Sequence, residues 1–202
     1  MKNKYPIKFE REITEVINPV HYHWKEFAEK ELEILMKKFG NICRSETSMF
    51  RNEILSDSVL AENLLQIGNA YSNNNIILRE IVSSISNMYQ RYDLKITDEI
   101  FQFLLKLTKN RKINFYISIC ITKMSQFDNY IHKWDYIMSI PAIAPRYNSR
   151  DTFYRVINDR IDLIPDELKP TIIAIFEKYL ENPKLHKYTK ETYSDLIENL
   201  RR

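Results

Sequence analysis

The stretch NPVHYHWKEFAEKELEILMKKFG, residues 18–40, decides how the rest of the chain is read. Asn18-Pro19 has the form of an N-cap followed by the first helical residue, because proline lacks only an N–H that the first turn cannot use. Trp24, Phe27, Ala28, Leu32, Leu35, Met36 and Phe39 then recur at steps of three and four, which lays one apolar stripe along an α-helix. Gly40 follows as a natural C′ stop. The pattern predicts a single helix across the stretch.

The same rhythm continues outward. Residues 1–17 form a charged, partly apolar lead-in with the composition of a short helix. Shorter helices are predicted at 46–55 and 57–71. After the break at Asn73-Asn74-Asn75, a stripe runs through Ile77, Leu78, Ile81, Val82, Ile85 and Met88. Thr97-Asp98-Glu99 supplies a hydroxyl cap and an acidic first turn to a helix with Ile100, Phe103, Leu104 and Leu107 inside. Residues 113–127 are apolar nearly all round, which predicts the centre of the fold. Asp128 is then expected to cap a helix to about Ser139, with Pro141-Ala142-Ile143-Ala144-Pro145 as a rigid loop. Ser149, Pro165-Asp166-Glu167 and Thr189 open three more helices. The sum is an all-α chain of nine or ten helices. Short links force antiparallel pairs, and an irregular HEAT-like stack in one domain, residues 1–202, is expected.

Composition agrees. Hydrophobic residues make up 44% and charged residues 28%, the balance of an ordinary folded soluble protein. Only Gly40 and Gly68 are glycine, against a usual ~7%, so hairpins, phosphate loops and dinucleotide turns lack their usual residue. Cys43 and Cys120 stand alone, with no CxxC partner, and read as reduced, buried thiols. Lys8, Glu10, Arg11 and Glu12 occupy the place an apolar signal segment would need, and 113–122, the longest uncharged run, is about half a membrane span. A cytoplasmic protein with no membrane partner is the expectation.

Motifs for catalysis are absent: there is no G-x-S-x-G, no H-E-x-x-H and no glycine-rich phosphate loop. The nearest approach to a metal motif is His21-Tyr22-His23 with Glu26, where His23 and Glu26 share a helix face but a third ligand is lacking. No metal site, cofactor or catalytic residue is therefore assigned, and the chain reads as a non-enzyme.

Charge is more telling in its distribution than in its total of +3. Residues 101–150 hold eight basic side chains against two acidic ones, a stretch able to meet phosphate or an acidic protein surface. Residues 51–100, with Glu53, Asp57, Glu62 and Glu80, are acidic instead. The best candidate for a contact surface combines Tyr130, His132, Lys133, Trp134, Asp135 and Tyr136 with Arg146, Tyr147, Arg150, Asp151 and Tyr154. Tyr, Trp and Arg are the residue types in which interfaces concentrate binding energy. Tyr130, Lys133, Trp134 and Ile137 would share one helix face, so part of the set belongs to the core, with His132 and Tyr136 turned outward.

In its helical build, low glycine content and contact stretch from Tyr130 to Tyr154, the chain resembles bacterial immunity proteins of contact-dependent growth inhibition and related polymorphic toxin systems. The resemblance implies a protein partner, one cognate toxin domain, neutralised stoichiometrically without a cofactor. A second resemblance is to HEAT-like DNA glycosylases, in which Trp134, Asp135, Arg146 and Arg150 would serve a basic nucleic-acid groove.

Overall fold

Helices alone are expected, and the computed structural model, which describes residues 5–143 and 147–202, is all-α: it has twelve α-helices and no strand among those residues. Contacts divide the chain into two compact units, Met1–Asn129 and Tyr130–Arg202.

In the first unit α1 (Ile7–Glu12) runs into two π-helical turns, Ile13–Ile17 and Pro19–His23, and a 3-10 turn, Trp24–Glu26. Then follow α2 (Glu29–Cys43), α3 (Met49–Leu55), α4 (Ser58–Ala70), α5 (Asn75–Arg91), α6 (Asp98–Leu107), α7 (Asn114–Ile121) and the single turn α8 (Ser125–Asp128). Helix α5 is the axis of this unit, with α2, α4 and α7 all packed on it. Its predicted stripe, Ile77, Leu78, Ile81, Val82, Ile85 and Met88, is fully buried, and truncating any one of these would cost about 2–5 kcal/mol. Asn74 fixes its start from both sides. Its Oδ1 accepts from the N–H groups of Ile76 and Ile77, and its amide donates to Glu29 and Glu33 on α2 at 2.6 and 2.8 Å. The hydroxyl of Thr97 caps α6 as predicted, accepting from the N–H of Ile100.

The stretch 18–40 departs from the single helix that periodicity predicts. Phe27 and Ala28 are extended, and α2 starts afresh at Glu29, with the Glu31 carboxylate accepting from the N–H of Ala28 at 3.0 Å. Tertiary contacts override the local pattern here: Asn63 on α4 hydrogen-bonds His21 at 2.9 Å, and Trp24 packs edge-on against Tyr71. Leu32, Leu35, Met36 and Phe39 do form the buried face of α2. Gly40 is not its stop. The helix continues to Cys43, and Gly40 leaves room for Glu80, whose Oε2 would lie 2.9 Å from an added Cβ. The residue that takes a left-handed conformation is Asp93, at φ 57°, just past the end of α5, where the N–H of Leu94 reaches back to the Met88 carbonyl at 3.2 Å.

The second unit holds α9 (Lys133–Ile143), α10 (Tyr147–Asn158), two 3-10 turns (Ile161–Leu163 and Asp166–Leu168), α11 (Lys169–Leu180) and α12 (Lys187–Arg201). Helix α9 packs on α10 and α11 on α12. An aromatic cluster forms its interior: the rings of Phe153 and Phe176 stack at 5.4 Å, with Tyr193 5.0 Å from Phe176. Several predicted boundaries move. Asp128 ends α8 and caps nothing further, and α9 starts at Lys133. Pro141, Ala142 and Ile143 complete the last turn of α9, where a missing proline donor costs little, and are not a loop; residues 144–146 lie outside those described. Helix α10 starts at Tyr147, ahead of Ser149. The 165–167 segment is a 3-10 turn that leads into α11. Helix α12 is capped by His186, whose Nδ1 accepts from the N–H of Tyr188, two residues before the expected opening at Thr189 and the helix interior.

Candidate functional site

The predicted contact residues all fall in the second unit, on α9, on α10 and on the turn before α9. His132 and Asp135 are exposed and bonded to each other, Nδ1 to Oδ2 at 3.2 Å, one turn apart at the start of α9. The ring of Tyr130 meets that of His132 edge-on at 5.7 Å. Tyr130, Lys133, Trp134 and Tyr136 are half-buried, so the expected outward turn holds fully for His132 and only partly for Tyr136.

On α10, Arg150 lays its guanidinium 5.6 Å above the ring of Tyr179 from α11. Such a stack fixes a flexible cation without removing its charge. Asp151 beside it is half-buried, and burial pushes its carboxyl above the ordinary carboxylate value against the pull of Arg150. Tyr154 belongs more to the core: its ring lies 5.6 Å from Tyr193 and 6.3 Å from Phe176, and burial pushes its phenol up. Arg146 and the side chain of Tyr147 lie outside the described residues.

Sequence reasoning missed two members of this surface. Tyr179 was assigned wholly to an inner face, yet it forms the platform for Arg150. Arg155 marks the end of the contact stretch and has its Nε and Nη2 buried with no hydrogen-bond partner. Burial pulls its guanidinium below the ordinary value, with Asp159 acting in the opposite sense. Neither property follows from residue type, because both depend on which helices come to lie alongside α10.

Other candidate chemistry resolves into structural roles. His23 bonds Glu26 at 2.9 Å, while His21 is held by Asn63, with its Nε2 4.0 Å from Asp57. Among the described residues no three His, Cys, Asp or Glu side chains gather as a metal site would require. Cys43 and Cys120 are free, and burial pushes both thiols up to about 12, which leaves them unreactive. Of the acidic segment 51–100, Glu80 is buried between Arg44 and Arg79, Asp57 caps α4, and Glu53 accepts from the Tyr5 hydroxyl. No helix among the described residues is long and apolar enough to cross a membrane. Comparison with protein families, with curated proteins and with solved structures finds no match for this chain.

Proposed function

We propose that this chain is a protein-binding module without catalytic activity of its own, an immunity protein that binds and neutralises one cognate bacterial toxin domain in the cytoplasm. On this reading its helices pair antiparallel in an irregular HEAT-like stack, of which α11 and α12, packed together across the short link 181–186, are one pair. The observation that carries the proposal is the half-exposed set Arg150, Asp151 and Tyr179, flanked on the chain by the exposed His132–Asp135 pair. An arginine stacked on tyrosine is the side-chain chemistry of binding hot spots. Asp151 and Arg155 are already partly stripped of water, so a partner that pairs with them meets part of the desolvation cost already met by folding. The acidic alternative in 51–100 is weaker, because Glu53, Asp57 and Glu80 are engaged inside the fold.

The test is a tagged pull-down from the source cell at physiological salt, with and without nuclease. A single stoichiometric protein that survives nuclease supports the proposal, and that protein's activity names the toxin. Loss of all bound material on nuclease treatment would overturn it.

One observation favours a second reading, nucleic-acid binding. Lys106, Lys109, Arg111 and Lys112 are exposed around the turn after α6 and make no ion pair among the described residues. Binding to a duplex that weakens steeply with salt would support that reading.

A further inference from the structure

Residues 6–9 of the first unit and the segment 44–51 between α2 and α3 enclose a cleft of about 640 Å³, the size of a small-molecule pocket. Its wall carries Lys8, Arg44 and Arg51, with the hydroxyls of Ser45, Thr47 and Ser48. Arg51 is the unusual member. It is 8% exposed, its Nη2 donates to Glu12 at 2.6 Å, and Phe9 covers the guanidinium with its ring centroid 4.6 Å from Cζ. Its Nη1 is buried with no hydrogen-bond partner. A buried donor left unpaired costs about 1–3 kcal/mol, and more when charged. With Glu12 on one nitrogen and Phe9 on one face, the cleft that Arg51 lines is the open approach for an acceptor.

The neighbouring charges favour an anion. Lys8 is exposed and makes no ion pair among the described residues. Arg44 is tied to Ser83 and Asn41 and lies 3.7 Å from Glu80, a carboxylate it shares with Arg79 at 3.0 Å. Arg91 and Tyr92 both donate to the Ser45 carbonyl, at 2.7 and 2.9 Å, which fixes the loop that forms one side. Beside the cleft and sharing Phe50 with it is a second hollow of about 570 Å³, lined by Tyr5, Met49, Phe50, Asn52 and Glu53. Met49 stands 92% exposed at its rim.

We propose that the cleft binds a small organic acid, with a carboxylate or phosphate head held by Arg51, Arg44 and Lys8 and an apolar body resting on Phe50 and Met49. The cations supply the charge-assisted hydrogen bonds, and the adjoining hollow distinguishes an organic acid from a bare inorganic anion.

The proposal is tested by titrating the ¹⁵N-labelled full chain with benzoate, phenyl phosphate, inorganic phosphate and, as a neutral control, benzyl alcohol. Saturable shifts at the amides of Lys8 and residues 44–51 are expected for benzoate or phenyl phosphate, and whichever acid binds more tightly names the head group. Lys8→Gln, at an exposed position, and Lys8→Gln/Arg44→Gln weaken that binding progressively, to about tenfold in the double variant, since each charged hydrogen bond is worth about 1.5–3 kcal/mol. Met49→Ala weakens the aromatic acid and leaves inorganic phosphate unchanged. No saturable shift with either acid, equal shifts with benzyl alcohol, or undiminished binding in a folded double variant would overturn the proposal.

Discussion

At Gly68 an added methyl would lie 2.5 Å from Cζ of Phe103, a ring packed in the interior; at Gly40 it would lie 2.9 Å from the end of the Glu80 side chain. The ring has nowhere to go, whereas a carboxylate can swing. Gly68→Ala is therefore expected to destabilise the protein by about 1–2 kcal/mol, an overpacking cost of about 1–3 less about 1 gained in helix propensity. Gly40→Ala is expected to be roughly neutral. Urea denaturation measures both, and equal losses at the two sites would contradict this account. That glycine is scarce was legible from composition. What the two glycines do was not, because the atom each one admits belongs to another helix. Asp151 gives a prediction with a sign. Burial raises its carboxyl above the ordinary value of 3.8, so the unfolded state loses this proton first as pH rises. The stabilisation from the protonated form is complete below the unfolded value and is lost as pH rises through the folded one. Asp151→Asn should accordingly raise the melting temperature at neutral pH and not in acid, while weakening partner binding. A variant less stable at neutral pH than the wild type would show that the carboxylate is paired and not penalised.

Among the elements, those whose apolar spacing is regular and whose caps are polar were readable: the second half of α2, all of α5, and α6 behind Thr97. Readings failed where a partner element decides. Residues 18–28 have helical spacing, yet the grip of Asn63 on His21 and the packing of Trp24 on Tyr71 hold the first part apart from α2. Proline at 141 suggested a loop, but in the final turn of α9 its ring and lost donor are tolerated. The end of α5 is the most instructive element boundary. A left-handed residue is required there, and Asp93 takes that role in a chain that spends neither glycine on it. Asp93→Gly should stabilise the protein by about 0.5–1 kcal/mol, since the left-handed cost of about 1–2 kcal/mol is relieved against a larger unfolded-state entropy. Thermal unfolding of the variant checks this, and a lowered melting temperature would mean that the Asp93 side chain stabilises the turn.

For the whole molecule, the all-α class was legible from two glycines and a repeated three–four spacing, while its division into two compact units was not, since no composition shift or linker marks residue 129. The candidate surface was half legible. Residue types singled out α9 and α10, but Tyr179 and the unpaired nitrogens of Arg155 emerge only once α11 and the rest of the fold are in place. The most direct measurement is a side-by-side pull-down, after nuclease treatment, of the wild type and a folded His132→Ala/Asp135→Ala/Arg150→Ala variant. The account predicts one stoichiometric protein partner on the wild type, reduced about tenfold or more on the variant, as loss of hot-spot contacts requires. Equal recovery of that partner by both proteins, or recovery of no protein by the wild type, would contradict it.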